Sequence, residues 1–206
     1  MYIKDPMSIE NKSFDIINDG MNEHNFTEQE LKVVQRTIHT TGDFDYQNIV
    51  MFKNNPIEVG IEAIKSGCRI VTDTKMAFSG INKGALSKAN CTMDNYIARE
   101  EVFKMAKEKE ITRSMAAMDF ALQEGVDIFV IGNAPTALFR IGELINEGKV
   151  SPKLIIGVPV GFVGASESKE YIREFNIPTI TTKGTKGGSN VAAAIVNALL
   201  YMAVGR

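Results

Sequence analysis

Asp127-Ile-Phe-Val-Ile-Gly-Asn-Ala-Pro-Thr136 decides the fold. Ile128 to Ile131 is apolar without alternation, the pattern of a strand buried on both faces. Gly132 to Ala134 turn the chain, Pro135 opens a helix reaching Glu147, and Gly148 stops it. The pattern then repeats. Lys153-Leu-Ile-Ile-Gly-Val158 is another buried strand and Ser166–Asn176 a polar amphipathic helix. Pro178–Thr182 is a final strand, followed by the glycine-rich turn Gly184–Ser189 and a closing apolar helix, Asn190–Val204. Upstream, Arg69-Ile-Val-Thr-Asp73 is a short β-branched strand with a helical turn after it, and Ala89–Met93 is a second strand candidate. Ala98–Glu110 and Thr112–Gln123 are helical, interrupted near Ile111. Apolar strands spaced by helices predict an α/β fold with a mainly parallel sheet covered on both faces.

The N-terminal third is helical. Residues 1–7 read as an arm broken by Pro6, and from Ser8 a helix places Ile9, Ser13, Ile16 and Ile17 on one face. Thr27-Glu-Gln-Glu30 is a capping box that starts a second helix, with Gly42 as its stop. Leu31, Val34 and Ile38 form its core stripe; Lys32, Arg36 and His39 form a second stripe beside it. His39, in the last turn, can give or take a proton near neutral pH beside an anion binder, or can simply cap backbone carbonyls at the surface. Ile49–Phe52 is a short strand or extended segment, and Pro56 opens a helix through Ser66 that ends at Gly67.

Composition sets the limits. The 206 residues are 44% hydrophobic and 23% charged, enough for one domain with a sizeable core. A net charge of −2 gives no basic field for nucleic acid, so an anionic ligand must meet local groups. Cys68 and Cys91 lack metal-site spacing and read as reduced, buried thiols. No run approaches a membrane span and no basic-then-apolar leader opens the chain, so a soluble cytoplasmic protein is expected.

Ligands of open α/β sheets collect beyond the carboxyl ends of the strands. Three glycine-containing turns lie at such ends: Gly132–Thr136, Pro159–Gly164 and Gly184–Ser189. Their free N–H groups suit carboxylate or phosphate oxygens. None matches a P-loop or a GxGxxG fingerprint. Arg113, at a helix start, is an anion binder or a free surface residue. Asn133 serves a ligand or its own turn, and Asp73 is an N-cap or a site residue. No Ser-His-Asp set, nucleophile elbow or convincing carboxylate pair is present.

Five segments, in order over nearly the whole chain, carry a family resemblance. They are Arg36-Thr-Ile-His-Thr-Thr-Gly42, Thr112-Arg-Ser-Met-Ala-Ala117, Ile131-Gly-Asn-Ala-Pro-Thr-Ala-Leu-Phe139, Gly157-Val-Pro-Val-Gly-Phe-Val-Gly-Ala-Ser-Glu-Ser-Lys169 and the Gly187-Gly-Ser turn. Together they resemble the precorrin-8X methylmutase family, including its cobalt-precorrin-8 counterparts. The resemblance implies a Rossmann-like three-layer α/β sandwich forming one domain over 1–206, with a helical segment at about 8–42 that carries the catalytic residue. It implies a homodimer without a dissociable cofactor or metal site of its own; any cobalt belongs to the substrate. The implied reaction moves a methyl group from C-11 to C-12 of the corrinoid macrocycle, giving hydrogenobyrinate or cobyrinate in cobalamin biosynthesis. The family's catalytic histidine falls on His39. Substrate contacts fall on Ser13, Arg36 and Arg113, with Asn133 added from its turn. Such a substrate carries a ring of acetate and propionate carboxylates, which a chain of charge −2 must meet with Arg36, Arg113 and the N–H groups of the Gly132 and Gly187 turns. The alternative is a carrier that holds a corrinoid without converting it, in which His39 only orients the ligand.

Overall fold

The structure, a computed structural model, describes residues 4–205. The N-terminal half runs α1 (Pro6–Gly20), α2 (Glu28–Thr41), α3 (Tyr46–Ile49), β1 (Val50–Lys53), α4 (Pro56–Lys65), β2 (Arg69–Thr72), α5 (Lys75–Gly80), α6 (Lys83–Lys88) and β3 (Thr92–Asp94). The rest runs α7 (Glu100–Glu108), α8 (Arg113–Ala121), β4 (Ile128–Ile131), α9 (Pro135–Asn146), β5 (Leu154–Gly157), α10 (Ala165–Glu174), β6 (Thr179–Thr182) and α11 (Ser189–Val204).

One six-stranded sheet has the order β1-β6-β5-β4-β2-β3. All its pairings are parallel except β1 with β6, which is antiparallel. Side chains of β4 alternate between the two faces: Ile128 and Val130 enter one apolar cluster, Phe129 and Ile131 the other. The first cluster is completed by α2, α4 and α11, the second by α7, α8, α9 and α10. The expected three-layer α/β architecture is therefore present. Among the parallel strands, the chain runs outward from β2 to β3 on one side and from β4 to β6 on the other. The reversal leaves a crevice beyond the ends of β2 and β4, where ligands of such sheets bind.

Helix boundaries follow local chemistry. Thr27 Oγ1 accepts the Glu30 N–H at 3.2 Å while the Glu30 carboxylate accepts the Thr27 N–H at 2.9 Å, the capping box expected for α2. Gly42 ends α2 in the left-handed region, φ 66°. Some expectations need correction. Residues 1–3 of the expected arm lie outside the described residues, and residues 6 and 7 are already helical. Asp5 caps α1 by accepting the Ser8 N–H at 2.8 Å, and Pro6 sits at the first turn, where its missing N–H costs nothing. The β3 strand begins at Thr92, later than Ala89, because Ala89 still donates back to Ala85 at the end of α6. Cys68 is buried but Cys91 only half so; both are free thiols with their sulfurs 3.5 Å apart.

Candidate active site

His39 lies in the last turn of α2, exposed, with its imidazole stacked on Phe14 of α1; the ring centroids are 5.3 Å apart and 17° from parallel. One turn earlier, the Arg36 guanidinium lies 4.6 Å from the Tyr201 ring centre and 5.5 Å from that of Phe14. It also donates to the Glu10 carboxylate at 3.3 Å. Lys32, the other cation on this stripe, pairs with Glu28 at 2.7 Å. Both cations beside His39 thus have carboxylate partners. Arg36 and His39 open into a cavity of about 210 Å³ whose far wall is Gly80, Asn190, Ala193 and Asn197.

A larger cavity, about 470 Å³, lies at the crevice beyond β2 and β4. Arg113, Asn133, Lys75, Thr74, Asp73 and Thr112 are among its lining residues. Thr112 caps α8 by accepting the Met115 N–H at 3.2 Å, which puts Arg113 at the first helical position. The Arg113 guanidinium lies over Phe103, 4.8 Å from the ring centre. The Asn133 side chain is exposed here.

Asp73 organises this end of the sheet. Its buried carboxylate accepts the N–H groups of Gly132 at 2.9 Å, Asn133 at 2.8 Å and Ala134 at 2.8 Å. Burial pushes the Asp73 carboxyl upward, and the three donors oppose that push. Two expectations change as a result. Asp73 is not a helix cap, because Thr74 caps α5 by accepting the Ala77 N–H at 3.0 Å. Nor do the Gly132–Ala134 amides meet substrate carboxylates, because Asp73 already occupies all three. The Gly187 turn is partly committed as well: the Gly188 N–H donates to the Val158 carbonyl at 2.8 Å.

The expected residues therefore form two groups: His39 with Arg36, and Arg113 with Asn133. α5 bridges them, with Lys75 at its start lining one cavity and Gly80 at its end lining the other. At 1.5 Å per residue the two ends are roughly 8 Å apart. The first turn of α11 also lies at this boundary: Thr74 and Ser189 share a 2.8 Å hydroxyl hydrogen bond, and Asn190 lines the His39 cavity. Ser13 lines neither cavity. It is half-buried on α1 next to Phe14, and its hydroxyl donates to the Ile9 carbonyl at 2.9 Å. Meeting a substrate carboxylate as a donor requires that hydroxyl to rotate away from Ile9.

The sequence motifs assign no role to Phe14, Lys75 or Lys169, although Lys169 closes the Gly157–Lys169 segment. Phe14 and Lys75 carry no motif, but Phe14 follows Ser13 directly and Lys75 lies two residues beyond Asp73, which was the available signal. Lys169 is fully buried on α10; its ammonium donates to the Lys186 carbonyl at 2.9 Å and to Thr182 Oγ1 at 3.1 Å. Among the described residues, no group of three or more His, Cys, Asp or Glu is arranged to hold a metal ion, and no helix is long and apolar enough to cross a membrane.

Comparison with known proteins gives the same family from three directions. The family model described as precorrin-8X methylmutase matches residues 8–202. A cobalt-precorrin-8 methylmutase from Salmonella typhimurium is 46% identical, covering 97% of each chain. A precorrin-8X methylmutase from Pseudomonas aeruginosa is 37% identical, covering 96% of each. The crystal structure of a precorrin-8x methyl mutase from Thermus thermophilus superposes with a TM-score of 0.89 at 37% identity, covering 96% of each chain. With the sequence aligned over nearly its whole length and the fold reproduced, this chain belongs to the precorrin-8X methylmutase family, whose members are isomerases that shift a methyl group within one molecule.

Proposed function

We propose that this protein moves a methyl group from C-11 to C-12 of a precorrin-8 macrocycle, with His39 as the proton donor. The observation that carries the reading is the placement of His39 and Arg36 across the six-residue α5 from a second, cation-lined cavity at the sheet's topological switch point. A macrocycle with carboxylate arms around its rim suits such a surface. Met76, 69% exposed on α5 between the two cavities, offers apolar area to its face.

The chemistry is an isomerisation. The C-11–methyl bond breaks and the C-12–methyl bond forms within one conjugated system, with no net oxidation and no co-reactant. The chain must hold the ring and make its π-system electron-poor at the moment of migration. Proton donation from His39 toward a ring nitrogen does the second, and such a step typically contributes about 10²–10⁴-fold. The proton returns to the imidazole once the methyl has moved. Phe14 fixes the plane of the imidazole from behind. Arg36, Arg113, Ser13 and the Asn133 side chain hold carboxylate arms, which supplies the orientation part of the rate.

The cobalt-containing substrate is favoured, because the Salmonella relative named for that form is 46% identical and the Pseudomonas relative named for the metal-free form 37%. The cobalt is substrate; no cofactor is needed. The protein is expected to act in the cytoplasm as a homodimer. Phe162 and Val163, 93% and 89% exposed at the tip of the loop after β5, give it apolar surface to cover.

The test is the visible absorption spectrum of purified protein mixed with cobalt-precorrin-8 and, separately, with precorrin-8X. The shift alters the conjugation, so conversion is seen directly, and the faster form names the substrate. A binding shift without conversion of either form would replace the mutase reading with the carrier.

A further inference from the structure

Resting on that functional reading, the geometry points to Lys75 as a specificity residue: we propose that the cavity beyond β2 and β4 is a subsite for acidic side arms of the macrocycle, held jointly by Arg113 and Lys75. Three observations lead there. Arg113 and Lys75 line the same cavity of about 470 Å³ from different elements, the start of α8 and the start of α5. The one carboxylate that lines it, Asp73, is buried and has both oxygens filled by the Gly132, Asn133 and Ala134 amides. The remaining lining groups are neutral: hydroxyls of Thr74, Thr112 and Ser114, the Asn133 amide, and the apolar Ile97 and Ala134.

Among the described residues, the cavity's charged side chains without an ion-pair or hydrogen-bond partner are both positive, Arg113 and Lys75, and the Ser114 hydroxyl and Asn133 amide beside them can donate. An ionised carboxylate gains from this arrangement through charge-assisted hydrogen bonds. A neutral amide or ester arm forgoes that charge-assisted gain. The subsite thus selects corrinoids whose arms here are free acids over those whose arms have been neutralised. Both side chains are exposed at helix starts, but the Arg113 guanidinium lies over the Phe103 ring, whereas Lys75 has no such contact among the described residues. Lys75 supplies a mobile point charge next to the planar, oriented guanidinium.

The experiment titrates hydrogenobyrinate into the full chain, following the corrinoid absorption band, for wild type, Lys75→Ala, Lys75→Arg and Lys75→Glu. The expected result is a dissociation constant raised about threefold to tenfold by Lys75→Ala and more by Lys75→Glu, with Lys75→Arg within about twofold of wild type. Added salt should weaken wild-type binding more than binding to Lys75→Ala, since one phased charge is gone. A hydrogenobyrinate derivative with its acid arms amidated should bind wild type and Lys75→Ala alike. Lys75 is exposed, and unchanged circular dichroism confirms that the variants fold. If wild type binds hydrogenobyrinate and all three variants match it at low salt, the subsite is overturned while the functional reading stands. If wild type binds no hydrogenobyrinate and converts no substrate, the functional reading falls and the subsite with it.

Discussion

The imidazole of His39 lies parallel to the ring of Phe14, 5.3 Å away, so a residue on α1 sets the plane of the proposed proton donor on α2. Removing the imidazole removes proton transfer and leaves the carboxylate-binding groups in place. His39→Ala is expected to lower kcat by about 10²–10⁴-fold while hydrogenobyrinate affinity stays within about threefold. Steady-state kinetics paired with a binding titration separate the two effects. Wild-type turnover in His39→Ala would remove His39 from the reaction.

Phe14→Leu keeps apolar volume at that position but loses the flat stacking surface. An aromatic pair of this kind is worth about 0.5–1.5 kcal/mol beyond its area, so kcat should fall about threefold to tenfold through loss of imidazole orientation. The effect should vanish in the His39→Ala background. Additive losses in the double variant would mean that Phe14 acts independently of His39.

Asp73 holds the turn after β4 with three backbone donors, so Asp73→Asn puts an NH₂ group among N–H groups that need an acceptor. A loss of about 2–4 kcal/mol in unfolding free energy is expected, measured by urea denaturation. Stability within about 0.5 kcal/mol of wild type would show that the clamp contributes little.

Gly132 marks a close approach between β4 and α11. A Cβ at this position would lie 2.7 Å from the Ser189 Cα, which is backbone and cannot swing away. Gly132→Ala is therefore expected to cost about 1–3 kcal/mol and to weaken corrinoid binding, because Ser189 and Thr74 move with it. Differential scanning calorimetry reports the first effect and the hydrogenobyrinate titration the second. A variant with wild-type Tm would mean that helix and strand part without strain.

Lys169 gives a pH signature. Burial, aided by Arg173 on the same helix and opposed by Glu170, lowers its pKa from 10.5 to about 8. Between those values the unfolded chain binds the proton more tightly than the folded one, so folded-state stability rises with pH as the charged form's burial penalty is relieved. Lys169→Met removes the titration. It does not orphan Thr182, whose hydroxyl donates to the Lys186 carbonyl at 2.7 Å by itself. Wild type should gain on Lys169→Met by on the order of 2 kcal/mol from pH 8 to pH 10, with no relative change from pH 6 to pH 7. A difference that stays flat across pH 8 to 10 would place the lysine in water.

Most of the architecture was legible in local sequence. The run Ile128–Ile131 declared a strand buried on both faces, and Thr27 with Glu30 declared the start of α2, because each signal lies within a few residues. What local sequence did not carry was partnership across the chain. Phe14 and His39 belong to different helices. Asp73 meets amides about sixty residues away, and a residue at a strand end reads equally well as a cap. The antiparallel pairing of β1 with β6 was hidden for the same reason: Val50–Lys53 has the composition of a strand but nothing that names its neighbour. The family motifs drew attention to Arg113 and Asn133, while Lys75 became visible only when the fold placed it in their cavity.

The most direct test of the proposed activity follows the methyl group itself. Precorrin-8X and cobalt-precorrin-8 carrying a ¹³C-labelled methyl at C-11 are incubated with the protein, and the products are read by NMR and mass spectrometry. The label is expected on C-12 of hydrogenobyrinate or cobyrinate, with no exchange between labelled and unlabelled molecules. A label that stays on C-11 in both substrates, or that scrambles between molecules, would contradict an intramolecular methyl shift.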